Sequence, residues 1–283
     1  MKGFPEYVSF DESFWAYVKY ISEGLGYTDR STGQVKAYSR EEVLGFLKGE
    51  NIKIDTTYLD AIVSYSKKRA DALNYNVKNL LMDAPEAEGL FLRVSEELSF
   101  LDLKCKRPMN KQSGAMKRPN YFTCLVNMLA EKALLDNGLN SEGLGFDDDP
   151  RRLCFVVDSN GKLLGASSRR FDGAFPTTAN PAIVWEIKEY YYTTTFGSRI
   201  SDGVFETQLD GQEFKELFNR TGIKVIHVFF IDSYNTWWNM GKSYLCRIVD
   251  ALNDGLCDEV IFGKEIISRW PELLNECLEL YLS

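Results

Sequence analysis

Asp172, Glu186 and Lys188 are the residues of this chain whose types and spacing can do chemistry together. Glu186 and Lys188 stand two apart in the apolar run Ile183-Val-Trp-Glu-Ile-Lys188. In a strand, residues two apart share a face, so these two project together while Trp185 and Ile187 point the other way. A preceding strand would bring Asp172 beside Glu186. Two carboxylates at adjacent strand positions make a hard oxygen site suited to Mg2+, which takes carboxylate, water and phosphate oxygens. A lysine beside them can orient an attacking water or offset charge building on phosphorus oxygens. Asp and Glu number 41 in this chain, so the spacing alone also fits a solvated strand face with an ion pair.

The elements that must position this trio are legible in outline. The first hundred residues read as helices: Phe10–Gly26 opens on an Asp/Ser cap region and closes on glycines, and Ser39 with the acids after it starts another. Asp55–Asp83 repeats apolar residues at helical spacing, while Thr28–Tyr38 is turn-rich and fits a short hairpin. The stretch Lys104–Asn120 then carries Lys104, Lys106, Arg107, Lys111, Lys117 and Arg118 with no acid, and its Pro and Gly residues make it a loop. An apolar helix follows from Tyr121. From Leu153 a hairpin is expected, Leu153–Val157 returning as Lys162–Ala166 through Asp158–Gly161. After a Pro-broken loop come a strand from Ala182, a helix closed by Gly222, a strand through Ile223–Asp232, a helix closed by Gly255, a short strand at Asp258–Gly263 and a terminal helix. The order is that of a mixed sheet flanked by helices, an α/β (α+β) arrangement. The expected division is a helical region 1–120, with its basic loop at 104–118, and a core at 121–283.

Composition removes several function classes. Apolar residues make up 45% and aromatics 13%, enough for a sizeable core and against disorder. The net charge of −8 argues against a surface coated in basic residues, but one local basic face remains compatible with nucleic acid. The six cysteines show no C-x-x-C pair and read as free thiols of a reducing compartment. Met1–Phe14 carries early acids and no apolar core, so no signal peptide is expected, and no run reaches the ~20 apolar residues of a membrane span. A soluble, cytoplasmic protein is expected. The single histidine, His227, lies in an apolar strand pattern and reads as core, which disfavours chemistries built on histidine. Met240-Gly-Lys-Ser243 follows a strand as a phosphate loop would, but Thr236 stands where the pattern needs glycine and Trp237 and Trp238 fill the loop.

Asp172, thirteen residues, then Glu186-x-Lys188 in an apolar strand after a hairpin resembles the PD-(D/E)XK nuclease superfamily, which includes type II restriction endonucleases and several repair and recombination nucleases. The resemblance covers about the last 160 residues. It departs from the pattern at Phe171, where the family usually has proline. It implies an αβββαβ restriction-endonuclease-like core with the N-terminal helices as an elaboration. It further implies a Mg2+-dependent endodeoxyribonuclease, with Mn2+ able to substitute, acting on double-stranded DNA as a homodimer without membrane attachment. Asp172, Glu186 and Lys188 would be catalytic, with Asp172 and Glu186 as metal ligands. Some members add an acid from the helix before the hairpin, for which Glu131 is placed. Others carry a glutamine on the helix after the lysine strand, where Gln208 stands with Glu206 nearby. The basic loop residues Lys104, Lys106, Arg107, Lys111, Lys117 and Arg118 would meet the phosphate backbone. Arg169, Arg170 and Arg199 flank the trio and would clamp the scissile strand, and Tyr190–Tyr192 would stack on bases or pack at a strand edge. A repair, recombination or phage-processing nuclease of the same fold, and a non-catalytic DNA-binding module, are the alternative readings.

Overall fold

The protein is described from a computed structural model covering residues 1–114, 117–139, 145–192 and 198–282, without the side chains of 198–199 and 280–282. Its N-terminal helices start on side-chain caps, each satisfying an amide that the helix leaves unbonded. Asp11 accepts from the Phe14 amide at α1 (Glu12–Leu25), and Asp55 from the Tyr58 amide at α3 (Thr56–Asp71). Ser39 and Glu42 cap α2 (Arg40–Gly49) reciprocally, as do Asp83 and Glu86 for α5 (Ala84–Glu97). Between them α3 runs on through a π-helical stretch, Ala72–Val77, into the short α4 (Lys78–Leu80). Phe14, Trp15, Leu59, Ile62 and Tyr65 bury one another in a core of their own.

This helical unit is bolted to the rest of the chain. Arg69 of α3 is fully buried and its Nη1 donates to both oxygens of Asp250 at 2.9 Å. Asp250 belongs to α8 (Lys242–Asn253) and also accepts from the Tyr65 hydroxyl at 2.7 Å. The guanidinium carbon lies 5.2 to 5.9 Å from the ring centres of Tyr27, Tyr38 and Tyr65. A charge this deep is tolerable only because it is paired and wrapped.

The remainder is mixed α+β. After α6 (Tyr121–Asp136), β1 (Phe155–Val157) and β2 (Leu163–Ala166) form a two-stranded antiparallel hairpin. A separate four-stranded sheet has the order β3 (Gly173–Phe175), β4 (Ile183–Lys188), β5 (Ile226–Ile231), β6 (Glu259–Phe262). β3 is antiparallel to β4, while β4, β5 and β6 are parallel. The helices α7 (Ser198–Thr221), α8 and α9 (Ile266–Leu282) complete the order. Ile183, Trp185, Ile187, Val228 and Phe230 pack one sheet face against α5, α6 and α9. Phe229, Ile231, Val260 and Phe262 pack the other against α3, α7 and α8. Among the described residues no helix is long and apolar enough to cross a membrane.

Two features differ from the sequence expectation. The hairpin stands apart from the main sheet, and the strand that carries Asp172 to β4 is the three-residue β3, in a stretch between the hairpin and the Pro-broken loop that shows no strand pattern of its own. Too short to show a period, β3 is held by its partner: Asp172 N–H donates to Trp185 O at 3.0 Å, and Ala182 N–H to Phe175 O at 2.8 Å. Gly173 belongs there because the Trp185 indole fills the space a Cβ would need; such an atom would stand 2.0 Å from the ring.

Candidate active site

The register Gly173↔Trp185 sets Asp172 opposite Glu186. Directly opposed side chains in an antiparallel pair lie on the same face, with Cβ atoms ~4.5–5.5 Å apart, and like charges there are destabilising. Here both are acids. The strand alternation adds Lys188 to that face and sends Trp185 and Ile187 into the opposite core. One Asp172 oxygen, Oδ2, accepts the Ile187 N–H at 2.7 Å, which fixes the carboxyl to β4. Protein surrounds Asp172 on most sides, yet the side chain stays exposed at the floor of a cleft. Crowding by protein and then the Glu186 charge push its carboxyl up to about 7. Contact with cleft water moderates the first of these, and the repulsion between the two acids is what a cation would relieve.

Two cations answer Glu186. Lys188 Nζ donates to Glu186 Oε1 at 2.5 Å and to Glu206 Oε2 at 2.5 Å. Arg169 Nη1 donates to Glu186 Oε2 at 2.9 Å, and its Nε and Nη2 grip Asp210 at 3.1 and 2.6 Å. Burial pulls the Lys188 ammonium down, but Glu186, Tyr190 and Glu206 together outweigh it and the net shift is upward, so Lys188 stays charged. Burial raises the Asp210 carboxyl to about 6 against the opposing pull of Arg169. Glu206 and Asp210 are one turn apart on α7, so one helix face supplies the outer acid for each cation. The same face carries Gly203, over which the lysine stem passes: a Cβ there would stand 3.2 Å from Lys188 Cε.

The cleft has a volume of about 710 Å³ and is lined by the acids and lysine of the site, Asp172, Glu186, Lys188 and Glu189, together with Lys106, Lys111, Asp148 and Asp149. Lys106 is engaged by Asp148 at 3.4 Å and Asp149 at 3.2 Å. Lys104, Arg107, Lys111, Lys117 and Arg118 are exposed, and Lys111 reaches the cleft wall. Arg170 also lines the cleft, whereas Arg169 is turned inward. The side chain of Arg199 lies outside the described residues. Glu131 is buried and takes a different position: its oxygens accept the amides of Lys104 and Cys105 at 2.8 to 2.9 Å, tying the basic loop to α6. Gln208 stands two residues from Glu206, roughly 200° around the helix from it, and does not line the cleft. Tyr191 and Tyr192 pack against the α5–α6–α9 core, and Tyr190 lies beside Trp237. His227 is buried; its Nδ1 lies 3.2 Å from Leu256 O and its Nε2 3.9 Å from Asp210. All six cysteines are free and buried.

Glu206, noted in the sequence only as a neighbour of Gln208, and Asp210, Gly203, Asp148 and Asp149, which the sequence did not point to, complete the surroundings of the trio, the last two as cleft-lining residues. The signal for the first two was present, since acids four apart on a helix meet one neighbour, but it has meaning only once α7 is known to cross β4. Among the described residues no group of three or more His, Cys, Asp or Glu is placed to hold a metal. Asp172 and Glu186 fit a divalent ion that keeps most of its shell as water and phosphate, the habit of Mg2+. Both Glu186 oxygens are engaged, but each engaging cation has a second acid to hold it, Glu206 for Lys188 and Asp210 for Arg169.

A family model described as a domain of unknown function, DUF7687, matches residues 82–277, and a second, DUF7690, matches residues 1–76. The two meet between α3 and α5, at the end of the π-helical stretch. No curated protein and no solved structure matches the chain.

Proposed function

The chain belongs to the DUF7687 family, and we propose that it is a Mg2+-dependent nuclease of PD-(D/E)XK type that hydrolyses DNA phosphodiesters. The observation that carries this reading is two carboxylates set opposite each other across β3 and β4, with a charged lysine on the same face, at the floor of an open cleft. A bound Mg2+ would polarise the phosphate and lower the pKa of a coordinated water. Asp172 and Glu186 would hold it through hard oxygens. Lys188, kept protonated by Glu186, suits charge stabilisation at the phosphorus oxygens and fits poorly with a free base. Water adds to phosphorus, the P–O3′ bond breaks, and the 3′ oxygen takes a proton, leaving a 5′-phosphate. The central sheet with α6 before it and α7 after β4 would be the restriction-endonuclease-like core. Cutting both strands of a symmetric site calls for two such centres, hence a twofold homodimer.

Incubation of phage-lambda DNA with the protein and Mg2+, read on a gel, tests this. Discrete bands are expected for a restriction-type enzyme and a smear for a repair or processing nuclease. Asp172→Ala and Glu186→Ala should each abolish the cutting while leaving the melting transition in place. Intact DNA at all protein concentrations, with Mg2+ and with Mn2+, would leave a binding module and sink the enzymatic reading.

A further inference from the structure

The hairpin gathers two Arg-Arg dipeptides that are far apart in sequence order. Phe155 pairs with Ala166, and the Ser167 amide donates to Cys154 O at 2.8 Å. Beyond that bond the ladder ends, and bends at Arg152 and at Ser168–Arg169 leave both dipeptides together at the open end of the hairpin. All four arginines line one open groove with Leu153, Ser168 and Glu206. Arg151 and Arg170 also line the acid-floored cleft, so groove and cleft are continuous.

Like charges gathered along one groove repel one another, and this chain is acidic overall, at −8. The fold offsets only part of the repulsion. Arg169 is answered by Glu186 and Asp210, and Arg151 pairs with Asp149 at 2.5 Å at the cleft rim. Arg152 donates through Nε to the neutral Thr178 hydroxyl at 2.9 Å. Arg170 is exposed and its guanidinium has no ion pair among the described residues. Packing does not require these outer three. A polyanion does: a guanidinium offers a fork of donors that matches phosphate oxygens.

We infer that this groove is the rail along which a nucleic-acid strand leaves the cleft, with Arg151, Arg152 and Arg170 contacting successive phosphates. The inference rests on the nuclease reading for its direction, and names residues that neither the basic loop nor the acid pair includes. Arg169 is not part of the rail; its inward grip is what holds the stem at the cleft.

The test uses the full chain carrying Asp172→Ala, so that DNA survives, with binding of a labelled 30-mer duplex and a 30-mer single strand followed across a KCl series. Replacing Arg151, Arg152 and Arg170 together by Ala should weaken binding at low salt and flatten the log–log salt slope by roughly 2–3, since each lost phosphate contact removes ~0.7–0.9. Replacing the same three by Lys should restore most of the slope. Binding with an unchanged slope in the Ala variant overturns the rail and leaves the nuclease reading standing. A parent chain that binds neither oligonucleotide overturns both. A slope that falls as expected, while the wild-type chain with Asp172 intact cuts nothing in Mg2+, keeps the rail and removes the nuclease.

Discussion

At the scale of the residue, the site is a balance of charges in which each group has two partners. Glu186 is shared by Lys188 and Arg169, and each of those is shared with an acid of α7. Gly203 sets the distance at which this exchange happens. Adding a methyl at Gly203 should raise helix propensity by up to ~1 kcal/mol, but it would press on the Lys188 stem at 3.2 Å. Gly203→Ala is therefore expected to keep or raise the melting temperature while cutting the cleavage rate at least about tenfold, a displacement of the kind that costs catalysis. Thermal melts beside single-turnover rates decide it: unchanged rates would mean the lysine does not act from this position. The sequence made the identities of Asp172, Glu186 and Lys188 readable, but not the inward turn of Arg169. A loop arginine beside an acid-bearing helix and one facing solvent look the same until the helix is placed.

At the scale of the element, strands β4, β5 and β6 were legible because each is a short, mainly apolar run, interrupted in β4 only by Glu186 and Lys188. β3 was not, because three residues carry no period and their hydrogen bonds come from Trp185 and the strand it leads. Glu131 shows the same limit differently: its helix was evident, but its two amide donors come from a loop whose path the sequence does not fix. Within β5, His227 gives a prediction with a definite sign. Burial is the main cause that depresses its imidazole to about 4, from 6.5 when free. Between those values the unfolded chain binds a proton that the folded chain refuses. Stability from this group is therefore full above pH 6.5 and falls, by on the order of 3 kcal/mol, as pH drops toward 4. The raised carboxyls Asp172, Asp210 and Glu189 act in the opposite direction over an overlapping range. The difference between the wild type and His227→Gln isolates the histidine, the only one in the chain. That difference in unfolding free energy should grow with pH from 4 to 6.5 and level off above; a flat difference would mean the imidazole is not held neutral.

At the scale of the whole molecule, the N-terminal helices keep one core of their own, share a second with the sheet through Ala70 and Leu73, and are tied to α8 by the Arg69–Asp250 pair. Arg69→Met alone should destabilise by about 3–5 kcal/mol, because it strands a buried carboxylate. Arg69→Met combined with Asp250→Leu should recover most of that loss. Equilibrium urea unfolding of the two variants checks both, and a double variant no better than the single would show that the pair specifies the joint rather than neutralising it. The helical character of the first hundred residues was readable from caps and spacing. Their attachment was not, since Arg69 and Asp250 lie 181 residues apart.

The most direct measurement of the central claim compares Lys188→Ala with the wild type in two assays on the same DNA. Lys188 should contribute mainly in the transition state. Affinity measured in Ca2+ should stay within a few-fold of wild type, while the single-turnover cleavage rate in Mg2+ falls by about 10²–10³, the loss typical of removing one charge-stabilising donor. Affinity and cleavage falling together would contradict the assignment, for Lys188 would then be holding the cleft in shape rather than acting on the phosphate.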